Sequence, residues 1–240
     1  MTSPPRIALI HAVQAAMQPI ARAMADIWPE AEAVNILDDS LTHDRRTGSA
    51  PDPSMTKRFT ELARYGEMIG SAGILFTCSA FGPAIERAAA EARVPVLKPN
   101  EAMFEAAIGH GARSAMLATF GAAIPTMEAE FAAEASRSKT VARLTAFVVE
   151  GAMAALKAGA VDEHNRLIAE QARRLGNYDA IMLAHFSTSQ AADAVREVTD
   201  IPVLTSPDTA VSKMKRLLTG GSEDRAITEQ QLGRVSHGAV

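Results

Sequence analysis

Cys78 is the single cysteine among 240 residues, so no internal disulfide can staple this chain. Neither a Cys-x-x-Cys pair nor a His-Glu-x-x-His helix is present, so no local spacing points to a metal. The first strand-like run leads into His11-Ala-Val-Gln-Ala-Ala rather than a glycine-rich phosphate loop, so no nucleotide cofactor is expected. A Gly-x-Ser-x-Gly elbow is also missing, which weakens a serine-hydrolase reading. Charge of one sign is scarce, with 24 Lys and Arg against 28 Asp and Glu. Arg45-Arg46 and Arg173-Arg174 are short and isolated, and without a basic stripe no nucleic-acid partner is expected. No apolar run approaches the roughly 18 residues that would span a membrane. The opening Met-Thr-Ser-Pro-Pro-Arg lacks a basic region followed by an apolar stretch, so a cytoplasmic location is expected.

What is present is an ordinary globular composition, 48% hydrophobic and 22% charged, in a chain long enough for one large core or two compact lobes. Short β-like runs alternate with longer Ala-, Leu-, Glu- and Arg-rich segments, which predicts an α/β fold with mostly parallel sheets. Strands are expected at Ile7–His11, Ala33–Ile36, Ile74–Phe76, Val94–Leu97, Ala115–Leu117, Ile181–Leu183 and Ile201–Leu204. Helices are expected around Pro19–Trp28, Met55–Ile69, Pro83–Ala92, Asn100–Gly109, Pro125–Ala135, Val148–Ala158, Glu163–Leu175 and Ser189–Val198. Asp38–Pro53, rich in charge with two prolines and a glycine, reads as a loop or lid after the second strand. Gly220–Val240 is polar with four glycines and reads as a partly ordered tail.

Two segments share one layout. Ile74-Leu-Phe-Thr-Cys-Ser-Ala-Phe-Gly82 carries Cys78, and Ile181-Met-Leu-Ala-His-Phe-Ser-Thr-Ser189 carries His185 in its place, 107 positions later. The same shift sets Arg6-Ile-Ala-Leu-Ile10 on Arg113-Ser-Ala-Met-Leu117, and Val94-Pro-Val-Leu97 on Ile201-Pro-Val-Leu204. A constant offset across separate strands indicates an internal duplication and two pseudosymmetric lobes. The first would comprise residues 1–98 plus 206–240, and the second residues 99–205. Ligands of parallel sheets collect beyond the carboxyl ends of the strands, so Cys78 and His185 are expected to share an interlobe cleft.

The candidate chemistry follows from that pairing. A cysteine just before a helix can have its thiolate favoured by free backbone N–H groups, although a lone cysteine is ordinarily a small buried hydrophobe. A histidine at a strand end can be a packing residue, or it can exchange a proton near physiological pH. His11, at the end of the first strand, is a candidate for binding or polarising the substrate, with a structural role the alternative. Ser79, Thr119, Ser187 and Thr188 offer hydroxyls near strand ends, and Phe120 follows Thr119. With adjacent amides they could cradle a carboxylate.

The cysteine after the third strand, Val94-Pro-Val-Leu then Glu101-Ala, Gly111-Ala-Arg-Ser-Ala-Met-Leu-Ala-Thr, and Ile201-Pro-Val-Leu before Asp208-Thr-Ala form an ordered set. In that order they resemble the aspartate/glutamate racemase superfamily over roughly Arg6 to Leu218, especially its branch of hydantoin and allantoin racemases, maleate isomerase and arylmalonate decarboxylase. The resemblance implies a cofactor-independent enzyme of two α/β lobes, acting on a carbon beside the carboxylate of a small organic acid. It further implies two opposed cysteines, matched here by Cys78 and by His185. The unlike pair suits isomerase or racemase chemistry, and also a one-sided decarboxylase or lyase. A noncatalytic carboxylate-binding protein is the alternative from another class, and self-association is compatible with such lobes.

Overall fold

Runs of aliphatic residues bounded by turn-formers give this chain two parallel sheets, each with its central strands buried on both faces. The computed structural model describes residues 3–44 and 53–235, with side chains described as far as residue 220. The first sheet contains β1 (Arg6–His11), β2 (Glu32–Leu37), β3 (Gly73–Phe76) and β4 (Val96–Leu97) in the order β2-β1-β3-β4. The second contains β5 (Arg113–Ala118), β6 (Arg143–Val148), β7 (Ala180–Leu183) and β8 (Val203–Thr205) in the order β6-β5-β7-β8. Registers repeat as well as order: Ile7 pairs with Gly73 as Ser114 does with Ala180, and Ile74 with Val96 as Ile181 does with Val203. The two sheets are thus one pattern used twice, as the repeat predicts.

Helices connect the strands and cover the sheets. They are α1 (Met17–Ile27), α2 (Ser40–Asp44), α3 (Pro53–Met68), α4 (Gly82–Glu91), α5 (Glu101–His110), α6 (Ile124–Arg137), α7 (Ala152–Lys157), α8 (Val161–Arg173), α9 (Ala192–Arg196) and α10 (Ser206–Val235). Several expectations are corrected. The sequence marks no strand at Arg143–Val148 and predicts a helix from Val148, yet β6 occupies this stretch and α7 starts only at Ala152. From β2 to β6 the offset is 111 positions instead of 107, so the constant repeat does not mark this strand. The helix expected at Ser189–Val198 is a 3-10 segment, Phe186–Ala191, followed by the short α9.

The expected loop or lid at Asp38–Pro53 is helical at both of its described ends. Arg58 holds Asp38 at 2.7 Å, Ser40 at 2.5 Å and Asp44 at 2.6 Å around α2, while Pro53 already begins α3. Residues 45–52 of that segment lie outside the described residues. The partly ordered tail expected from Gly220 is instead helix as far as Val235. Propagation adds a hydrogen bond per residue once α10 is nucleated on the core, which offsets the low helix propensity of its glycines. Residues 236–240 lie outside the described residues.

The lobes are joined by shared apolar packing. Phe186, just beyond β7 of the second sheet, is only 6% exposed and belongs to the core of the first sheet, with Leu9, Ile20, Leu75, Leu97 and Val211. Ala102 of α5 enters the same core, while Met103 and Phe104 of that helix pack in the second lobe. An Arg22–Asp193 ion pair at 2.7 Å bridges α1 and α9, but both groups are exposed and it adds little. Phe186→Ala is therefore expected to cost about 3–5 kcal/mol in urea unfolding. Phe120→Ala, at a side chain 54% exposed, should stay within about 0.5 kcal/mol.

Candidate functional site

The carboxyl ends of the strands meet where the sheets adjoin. A cleft of about 150 Å³ there is lined by Val13, Ala15 and Ala16 after β1, Thr77, Cys78 and Ser79 after β3, Pro99 and Asn100 after β4, and His185, Phe186 and Ser187 after β7. Cys78 and His185 therefore come from equivalent strand ends to one cavity. Both are partly buried, as are Ser79 and Ser187 beside them.

Cys78 precedes a 3-10 turn, Ser79–Phe81, that runs directly into α4, where Pro83 occupies the first helical turn. Backbone N–H groups at such a start have no carbonyl four residues back and can bind a carboxylate. The turn is anchored from below: the ring of Phe81 lies 4.9 Å from that of Phe59, which in turn lies 5.2 Å from Phe76 of β3. Cys78 itself has ordinary extended backbone, with φ −120° and ψ 114°.

His185 does not. Its φ of 70° and ψ of 152° fall in a region nearly reserved for glycine, which costs a β-carbon residue on the order of 1–3 kcal/mol. Its Nδ1 is buried with no hydrogen-bond partner. Burial pushes the imidazole pKa below its ordinary value, and the carbonyl of Ala184 opposes that only in part. His185 thus combines a strained backbone with a buried, unpartnered nitrogen on the cleft wall.

His11 is placed differently. It is fully buried, its Nδ1 2.9 Å from Thr77 Oγ1 and its Nε2 2.9 Å from Asn35 Oδ1, and it does not line the cleft. Burial lowers its pKa; Nε2 faces the amide oxygen of Asn35, and Nδ1 meets the Thr77 hydroxyl, which also donates to the Ile10 carbonyl at 3.3 Å. With both nitrogens committed, His11 ties β1 to β2 and to the residue before Cys78.

The remaining candidates divide. Ser79 and Ser187 reach the cleft, while Thr119 and Thr188 are buried with hydroxyls that lack partners and lie off its wall. Phe120 is exposed on the loop after β5. Asn100 was missed as a functional residue, because an asparagine before Glu101 reads as an ordinary helix cap. In the structure its side chain caps nothing, bonds to Ser206 and Glu130, and the residue lines this cavity.

Another cavity, of about 350 Å³ between α5, β8 and α10, contains Arg196 and Lys213, but both are paired, with Asp208 at 3.2 Å and with Glu105 at 2.7 Å. Among the described residues no group of three or more His, Cys, Asp or Glu side chains could hold a metal ion. No helix of the described residues is long and apolar enough to cross a membrane.

His11 and His185 make stability depend on pH in a defined direction. Each binds a proton less readily folded than unfolded, so their contribution is complete above the ordinary value of 6.5 and is lost as pH falls below it. The unfolding free energy from urea titration should drop between pH 7.5 and 5.5, by at most about 1.4 kcal/mol per pH unit per histidine. His185→Gln should flatten part of that decline, leaving the share due to His11.

The Asp/Glu/Hydantoin racemase family model matches residues 7–177. No curated protein matches the chain significantly. Among solved structures, allantoin racemase from Klebsiella pneumoniae superimposes with a TM-score of 0.66 at 18% identity, covering 90% of this chain and 89% of that one. An aspartate racemase homologue from Pyrococcus horikoshii gives 0.65 at 15% identity, covering 89% and 99%. An arylmalonate decarboxylase in a sulfate-associated form gives 0.63 at 17% identity, covering 90% and 94%. The twofold sheet pattern, the cleft at its strand ends and the matching family model lead to one assignment: this chain belongs to the Asp/Glu/Hydantoin racemase family.

Proposed function

We propose that the protein is a cofactor-independent isomerase or racemase acting at the carbon beside the carboxylate of a small organic acid, with Cys78 and His185 as its proton-transfer pair. Family membership and fold support a carbon-centred isomerase or lyase. The finer reading is carried by one observation: Cys78 and His185 line the same small cleft, and the buried Nδ1 of His185 has no protein partner.

The substrate carboxylate lies against the N–H groups that follow Cys78, with hydroxyl help from Ser79 and Ser187. Neutral His185 removes the proton from the adjacent carbon, and the electron pair spreads into the carboxylate, where fixed donors stabilise the extra charge. The Cys78 thiol then delivers its proton to the opposite face of that carbon, inverting it. The resulting thiolate and imidazolium exchange protons with water before the next turnover in the same direction. Low imidazole basicity limits the driving force of the first step, but keeps His185 in its base form at neutral pH.

Decarboxylation is the second reading, favoured by the unlike pair. Loss of carbon dioxide from an acid with two carboxylates on one carbon leaves a carbanion that needs one proton, which Cys78 alone can supply.

Incubating the protein with a panel of small mono- and dicarboxylates in deuterated water, followed by NMR, separates the readings. Deuterium appearing beside a retained carboxylate is the expected result, and a lost carboxylate would point to the second reading. Cys78→Ala and His185→Gln should each lower turnover by about 10²–10⁴-fold while the acid still binds. Binding with neither exchange nor turnover, unaffected by Cys78→Ala, would identify a carboxylate-binding protein instead.

A further inference from the structure

Asn100 stands where chemistry from three elements meets. It is 3% exposed, occupies the N-cap position of α5, and lines the cleft of Cys78 and His185. Asparagine at an N-cap normally turns its side-chain oxygen onto the free N–H groups of its own helix. Here the side chain makes no such bond and engages the other structural elements.

Its amide is oriented from two sides. Ser206, fully buried where β8 passes into α10, donates its hydroxyl to Asn100 Oδ1 at 3.0 Å, with Met103 Sδ a longer second acceptor at 3.6 Å. Glu130 of α6 accepts from Asn100 Nδ2 at 3.3 Å. A carboxylate can only accept, so Glu130 requires the amide nitrogen on its side, which leaves the oxygen for Ser206. Burial raises the Glu130 carboxyl pKa above its ordinary value, and the Asn100 amide and Lys98, itself bonded to Glu86 at 2.6 Å, offset this only in part. The amide carries two N–H groups, and only one is used by Glu130. Asn100 and Ser206 sit at matching β-to-α junctions, after β4 and β8, so the bond between them crosses the pseudosymmetric halves.

We propose that the second N–H of Asn100 binds the substrate carboxylate in the Cys78–His185 cleft, and that Ser206 and Glu130 act as positioning residues that fix the amide for this task. This rests on the reading of that cleft as the reaction site. A donor held rigidly from behind loses little freedom when the substrate arrives, and it strengthens its bond as charge builds on the carboxylate oxygens. A purely structural asparagine would bridge Ser206 and Glu130 and leave ligand affinity untouched.

The probe is malonate, titrated calorimetrically, together with the exchange rate of the most active acid in the deuterated-water panel. Asn100→Ala is expected to weaken malonate about 10- to 100-fold and to lower kcat/KM by 10²-fold or more. Asn100→Ser restores a residue able to cap α5, so it should keep the wild-type melting temperature and still show the loss. Glu130→Gln, able to present either amide atom to Asn100, should raise KM several-fold with a smaller change in kcat. Malonate affinity and exchange both unchanged in Asn100→Ser would overturn the proposal. Loss in Asn100→Ser that is matched by loss of folding would overturn it as well, since the role would then be structural. Cys78→Ala separates the two levels: if it leaves exchange intact, or if malonate fails to bind the unaltered protein, the site reading itself falls and Asn100 with it. If Cys78→Ala abolishes exchange while the Asn100 variants do not, only the role of Asn100 is lost.

Discussion

The packing of Phe186 into the core of the opposite lobe is the contact on which the arrangement of the site depends. Parallel strands return by crossovers, so each sheet delivers its loops to one end, but nothing within a sheet dictates how two such ends face each other. Phe186 is the residue after His185, and its ring sits among Leu9, Ile20 and Leu75 of the first lobe. Burying a phenylalanine there holds the turn after β7 against the loops after β1 and β3. The aliphatic side chains of α10, Val211 and Met214, close the same core from the other side. Energy gained by apolar burial thus fixes the position of a polar side chain, because His185 is attached to the residue that is buried.

The strain at His185 belongs to the same bargain between packing and chemistry. With Phe186 directed into the first core, the preceding backbone adopts positive φ, and a residue other than glycine occupies it. At the mirror position Cys78 faces no such demand, since the neighbouring aromatic, Phe81, packs within its own lobe against Phe59. The halves therefore share strand order and register but differ at their tips. That difference fits a pair with divided roles, a thiol in relaxed backbone and an imidazole held neutral by burial.

Two histidines with the same direction of pKa shift serve unlike ends. Burial lowers both, yet His11 spends each ring nitrogen on Thr77 and Asn35 while His185 keeps Nδ1 open. The distinction lies in partners rather than in burial. From the sequence both were polar residues at the end of an aliphatic run, and only the neighbours contributed by β2 and by the turn after β3 separate them. The missed β6 has a similar cause. Its exposure alternates as an edge strand's does, with no continuous buried run, and its spacing departs from the repeat, so neither a buried aliphatic stretch nor the offset marks it. Asn100 was hidden by a local rule that usually holds, because a capping residue in a capping position gives no reason to look further.

The sequence by itself determined the α/β class, the twofold repeat, and the equivalence of Cys78 and His185 at the ends of β3 and β7. These are legible because buried parallel strands need continuous aliphatic runs, and because duplication preserves spacing when identities are gone. Tertiary structure alone decided which polar groups stand at the cleft: His185 and Asn100 are on its wall, while His11, Thr119 and Thr188 are off it. The physical reason is that a side chain's partners come from elements distant in sequence. His11 meets Thr77, and Asn100 meets Ser206 and Glu130, only after the sheets have formed and the two cores have closed on each other.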